Sequence, residues 1–260
     1  MDAENAETLV SGANIPGKHI LDNAEVGGEA EVYGNAQVTE NAHVYGGAKV
    51  WGNAHVSGNA EVSGDAEVGG NAKVSVNAKV YGNAKVYDKA TLSGRAFVTG
   101  EAKVFGDAEV CGKAEVWGQT KVSVNAKVYG NAKVFGNAYV NGYAEVYGNA
   151  KVWGQAYVFD HAKVYGRAKV YDNSCLAGNA KVKGNAKVFG NARVYSNAEV
   201  WDNALVYGDA EVGGNAKVFG RATVYGTANI SGDAVILGGN WDGSEGPITS
   251  GKWMAPGDPA

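Results

Sequence analysis

Four histidines, His19, His43, His55 and His161, and two cysteines, Cys111 and Cys175, are the side chains of this 260-residue sequence best suited to hold a metal or attack a carbonyl. A zinc site needs three or four such ligands converging on one point. A cysteine nucleophile needs a base within hydrogen-bond reach. The six residues are scattered along the chain, and only His161, next to Asp160 in FDHAKV, has a carboxylate beside it. His161 is therefore the one candidate catalytic base, with surface decoration as the other reading. The chain has 39 glycines, but they sit in two-residue turns and never in a Gly-rich loop opening a helix, so no phosphate-cradling motif is present.

What carries these residues is a repeat. From Ile20 to Ile236 every sixth residue is aliphatic and branched, 37 positions without an insertion or deletion, all Val except Ile20, Leu92, Leu176, Ile230 and Ile236. Two residues before them, from Ala24 to Ala234, stand 36 positions that are Ala except at Thr120 and Ser174. The unit is G-N-A-x-V-x. Its A-x-V-x half alternates with period two, which predicts a four-residue strand with Ala and Val on one side and the variable residues on the other. Its Gly-Asn half supplies residues that tolerate the positive φ of a sharp bend. Gly fills 27 of the 35 first-turn positions between residues 28 and 232, with Asp88, Asp160, Asp172 and Asp202 among the exceptions.

Antiparallel hairpins would lay these strands into one meander with an uncovered Ala/Val face, and open sheets rarely pass about 10 strands. Wrapping the chain into a solenoid buries Ala and Val in its own lumen, each strand pairing in parallel with the coil below. The hexads, with a branched aliphatic at one position and a small residue four later, resemble the hexapeptide-repeat proteins, and the GNAKVYG arrays resemble uncharacterised bacterial and phage-type members. That resemblance implies a left-handed parallel β-helix of three hexads per 18-residue coil. The expectation is an all-β chain with a single β-helix of about 12 coils over residues 20–237, an N-terminal cap over 1–19, and a C-terminal cap or docking tail over 238–260. Trp241 and Trp253 in the tail are candidates for assembly contacts, and Ile248 and Met254 keep the phase of the valines.

In 18-residue coils the variable positions become columns. One reads Trp117, Phe135, Trp153, Tyr171, Phe189, Tyr207, Tyr225. A second runs Tyr129, Tyr147, Tyr165, then Lys183, Trp201 and Phe219, and a third is broken by Ser123, Asn141, Ala177 and Gly213. Across the buried valines from the first column stand Lys133, Lys151, Lys169 and Lys187 in four successive coils. Like charges stacked at strand spacing repel, and contiguous aromatic surface marks an interface. The other reading is structural, with stacked rings that stabilise the ladder and lysines that solubilise it. His19 and His55 lie two coils apart in one column with His43 on another side, which gives no metal cluster, and the two cysteines lie in different columns about 3.5 coils apart, too far to bond.

The net charge of −4 hides an uneven distribution: 9 basic against 16 acidic residues over 1–120, 13 against 7 over 121–225, and 1 against 4 over 226–260. No apolar run approaches membrane-spanning length and the acidic start lacks the marks of a secretion signal, so a cytoplasmic or virion-associated protein is expected, with no membrane partner. Sparse, scattered Thr excludes ice binding. The functional expectation is a non-enzymatic structural or binding solenoid without cofactor or metal. It would be a homo-oligomer, trimeric as in many relatives, or part of a larger assembly, engaging its partner through the aromatic and lysine columns. The alternatives are an acyltransferase with a coenzyme A site between subunits, as the resemblance implies, and a binder of an anionic polymer such as single-stranded nucleic acid or polysaccharide.

Overall fold

Burial of one valine contributes about 1.5–3 kcal/mol, and this chain repeats the event at every sixth residue. The computed structural model describes residues 19–254, so the expected N-terminal cap, apart from His19, and residues 255–260 lie outside the described residues. From Ala30 through Ile236 the Ala and Val columns line the lumen, nearly all at 0% exposure. Thr120 and Ser174, standing in Ala positions, are buried as well. Each hydroxyl donates to the carbonyl three residues back, Trp117 O and Tyr171 O, both at 2.8 Å, so neither is left unpaired in the lumen.

The strands form three parallel sheets of 13, 12 and 13 members, and successive strands within a sheet are three apart in chain order. The first face runs from Glu25–Val26 to Asn240–Trp241, the second from Glu31–Val32 to Asn229–Ile230, and the third from Gln37–Val38 to Lys252–Trp253. Partners lie one coil apart, as in Lys133↔Lys151 and Val134↔Val152. This is an all-β parallel solenoid of about 13 coils that matches a left-handed parallel β-helix. Strands are two residues long rather than four. The chain must bend at every hexad, so Ala and the residue after Val flank corners. Ladder bonds still reach both sides of each strand, as in Lys133 N–H to Ala150 O and Phe135 N–H to Val152 O, both 3.0 Å.

At each corner the left-handed conformation is confined to the first residue. Among the described residues every non-glycine with positive φ, from Asp22 to Asp202, occupies that position, and none of them is asparagine. Asn therefore has a different task. Its side-chain amides bond along the axis, as in Asn35–Asn53–Asn71 at 3.1 Å per step and Asn179–Asn197–Asn215–Asp233 at 3.0 to 3.1 Å. The first corner residue needs glycine because a Cβ there meets the same corner of the next coil. On Gly118 it would lie 2.7 Å from the Gly136 oxygen. From residue 76 onward each non-glycine at this position has glycine in the coils on both sides. The corner after the second face alternates Gly106, Val124, Gly142, Asp160, Gly178, Ser196.

The solenoid continues into the tail. Trp241 pairs with Val224 and Trp253 with Ile236, each one position short of a full coil, while Ile248 bridges Ile230 at the full coil. Steps of five, seven and five residues from Ile236 to Trp241, Ile248 and Trp253 put Trp241 and Trp253, rather than Asp242 and Met254, in the valine phase. The two indoles meet edge to face at 5.8 Å. Each ring N–H donates at 2.7 Å to a carbonyl three residues back, Gly238 and Ser250. Trp241 and Ile248 are buried, and Trp253 keeps 40% of its surface exposed at the end of the rod.

Candidate functional site

The aromatic columns form continuous stacks on the outside of the solenoid. On the first face Trp117, Phe135, Trp153, Tyr171, Phe189, Tyr207 and Tyr225 follow one another at centroid distances of 4.3 to 5.5 Å, with planes within 14° of parallel. On the third face Tyr129, Tyr147 and Tyr165 stack at 4.8 and 4.9 Å, and Trp201 on Phe219 at 4.3 Å. Lys183 fills the break between these groups, its Nζ 5.1 Å from the Trp201 ring centroid. The coil repeat sets the spacing, and the pleat sends every residue after Val outward. Each interior ring has both its faces covered by its neighbours, so the ladder residues are half-buried rather than exposed.

Charge follows the same columns. Pairs between adjacent coils recur: Lys79–Glu61 at 2.7 Å, Lys85–Glu67, Lys133–Glu115 and Lys163–Glu145 at 2.8 Å, and Lys181–Glu199 at 3.1 Å. Hydrogen bonds from Lys79 and then Tyr81 hold the Glu61 carboxyl below its ordinary range. At Glu145 burial pushes the carboxyl up, but hydrogen bonds from Lys163 and Tyr129 outweigh it and the net shift is downward. Glu199 behaves alike between Lys181 and Lys183. The first face breaks the pattern. Lys133, Lys151, Lys169 and Lys187 stand in register. Lys133 alone has a carboxylate, Glu115, and among the described residues Lys151, Lys169 and Lys187 have none.

The residues chosen for chemistry remain apart. His43 meets Glu25 at 3.1 Å, His55 lies between Gln37 at 3.2 Å and Thr39 at 3.4 Å, and His19 contacts the Ala36 carbonyl at 2.8 Å. His161 stacks on Tyr143 at 4.9 Å. Both cysteines are free, and burial pushes both thiols up, away from the thiolate a nucleophile needs. Among the described residues no group of three or more His, Cys, Asp or Glu could hold a metal, and no helix is long and apolar enough to cross a membrane.

No family model matches the chain, and no curated protein matches it. Among solved structures, a "putative acetyltransferase" from Desulfovibrio desulfuricans G20 is similar at 10% identity with a TM-score of 0.17. The match covers 84% of this chain and 60% of that one. The chain is a parallel β-solenoid. At that TM-score the likeness carries no argument about activity, and the outward columns are what bear on function.

Sequence reasoning missed three features of the surface. The Asn ladders were signalled by Asn recurring once per coil at the second corner position. Asp at the first corner position accepts the backbone N–H of the next coil's corner, Asp160 from Gly178 at 2.9 Å and Asp88 from Gly106 at 3.0 Å. The third is a groove on the second face, between Asn83, Glu101, Gln119 and Asn137 on one side and Lys85, Lys103, Lys121, Tyr139 and Tyr157 on the other, while the column after Val shrinks to Ser123 and Asn141. Tyr139 turns toward both, its hydroxyl 3.3 Å from each side chain.

Proposed function

We propose that this protein is a non-enzymatic structural solenoid of the hexapeptide-repeat type that assembles with copies of itself through the first face of its C-terminal half. The observation that carries this reading is the run of Lys151, Lys169 and Lys187, stacked without carboxylates on a molecule that pairs many of its other lysines across coils. Two unit charges one coil apart in water repel by about 1 kcal/mol. An acidic surface laid against the column relieves that cost, and Glu29, Glu31, Glu40 and Asp65 are exposed on the acidic half of the chain. A parallel trimer would bring three lysine columns to the same height. A staggered or antiparallel association instead sets the basic half of one copy against the acidic half of another. The ladder adds a rigid, half-buried apolar strip beside the lysines. Stacking of nucleic-acid bases on the ladder has little support, because its ring faces already cover one another.

Light scattering across ionic strength tests the proposal. An oligomer at low salt that loses mass as salt screens the contact supports it. A monomer throughout, or an oligomer indifferent to both salt and lysine reversal, overturns it.

A further inference from the structure

The second face carries a feature that self-assembly does not use. A groove of about 880 Å³ runs along the axis between the corner that follows the first face and the lysine column of the second face, from Lys85 to Tyr157. The register Lys103↔Lys121↔Tyr139↔Tyr157 makes it a lane five coils long including Lys85, roughly 19 Å at strand spacing. Three properties define what fits it. Lys85 is paired with Glu67 at 2.8 Å, but Lys103 and Lys121 have no carboxylate partner among the described residues, leaving two adjacent free cations. The opposite wall offers the amides of Asn83, Gln119 and Asn137 and the carboxylate of Glu101, which accepts from Gln119 at 3.0 Å. At the far end Tyr157 meets Tyr139 edge to face at 6.1 Å and stays 50% exposed, so unlike the ladder rings it has ring surface to offer.

We propose that this groove binds an acidic oligosaccharide of the uronate class. A pyranose ring has an apolar C–H face suited to the open Tyr157 ring and an equatorial belt of hydroxyls. Those hydroxyls both donate and accept, and amides with a carboxylate answer both roles. A sugar ring is also about as long as the coil-to-coil step, so successive residues of an extended chain meet successive rungs. The carboxylates of a uronate pair with Lys103 and Lys121. A phosphodiester strand matches less well, because between its charges it lacks the belt of hydroxyls that the amides and Glu101 can engage. The proposal stands apart from self-assembly, since none of its residues belongs to the first-face column.

Isothermal titration calorimetry of the full chain with an oligogalacturonate, its methyl-esterified counterpart and an oligothymidylate tests it. Saturable binding of the oligogalacturonate is expected, weakened about tenfold or more by K103E/K121E, by Tyr157→Ala and by methyl esterification, and unchanged by Lys169→Glu on the first face. Absence of saturable binding, binding that survives K103E/K121E, or tighter binding of the oligothymidylate in the same groove would overturn it.

Discussion

Trp117 and Phe135 stand one coil apart in the chain and 4.4 Å apart between ring centroids, with their planes parallel. That one relationship, repeated rung by rung, explains how the ladder residues sit on the outer surface half-buried, with their ring faces covered. The rings form a second hydrophobic stack outside the Ala/Val lumen, and their stability contribution follows from the neighbours each one touches.

Trp153 has two such neighbours, Phe135 at 5.5 Å and Tyr171 at 4.3 Å. Each stacked pair is worth about 0.5–1.5 kcal/mol beyond area burial. Trp153→Ala is expected to destabilise by roughly 1–3 kcal/mol from the two lost pairs alone, and Trp153→Phe to restore most of it. Tyr225, at the end of the ladder with a single aromatic neighbour, should cost less when replaced by Ala. Chemical denaturation of the three variants provides the comparison.

The corners give a prediction of opposite sign. Val76 and Val124 are β-branched residues at φ 67° and 64°, where strain amounts to about 1–3 kcal/mol. Val124→Gly is expected to stabilise by roughly 1 kcal/mol once the entropy of glycine is subtracted. Gly118→Val is expected to destabilise, since its Cβ would fall 2.7 Å from the Gly136 oxygen. Thermal melts that rank Val124→Gly below wild type would contradict the strain reading.

Asp160 occupies the same kind of corner and uses it differently, its carboxylate accepting the Gly178 N–H at 2.9 Å. Asp160→Ala removes that acceptor while leaving a Cβ in the left-handed region, and should cost about 1–2 kcal/mol, comparable with losing a helix cap. Asp160→Asn keeps both the acceptor and the conformational tolerance and should cost much less. Hydrogen exchange at Gly178 reads the bond directly: faster exchange in Asp160→Ala and slow exchange in Asp160→Asn are expected.

Glu145 and Glu199, together with Glu61, contribute to the acid limit. Burial opposes the ionised forms of Glu145 and Glu199, but hydrogen bonds from Lys163 and Tyr129, and from Lys181 and Lys183, outweigh it and hold both folded-state values below the ordinary glutamate range. A depressed carboxylate contributes stability that is present above its unfolded value and lost as pH falls through the folded one. The melting temperature should therefore hold from neutral pH down to about 4.5 and then drop. The E145Q/E199Q variant should be less stable at neutral pH and show a shallower acid slope.

Much of this architecture was legible because the period is unbroken. With 37 branched residues in one phase, the lumen follows from counting, while the register and the seven-rung ladder also needed the three-hexad coil that the resemblance implies. The Asn ladders were harder to read, because a Gly-Asn pair suggests a conformational role for both residues and only the coil geometry shows that glycine alone needs it. The last coil was obscured by steps of five, seven and five residues after Ile236, which moved Trp241 and Trp253 into the valine phase and broke the count that had worked from Ile20 to Ile236. The groove on the second face could not be found from any single residue. Its walls come from two columns, the second corner residues Asn83 to Asn137 and the column Lys85 to Tyr157, and the turn of Tyr139 toward Ser123 and Asn141 is a property of side-chain packing rather than of the repeat.

The central claim is that the unpaired lysine column joins one copy of the rod to another, and sedimentation velocity of the wild type beside K151E/K169E/K187E tests it most directly. These outward residues lie away from the lumen, so the solenoid itself should remain intact. The prediction is an oligomer for the wild type at low salt, a monomer for the charge-reversed variant, and convergence of the two at high salt, where the Debye length falls to about 3 Å. Identical sedimentation of the two proteins under all conditions would contradict the account.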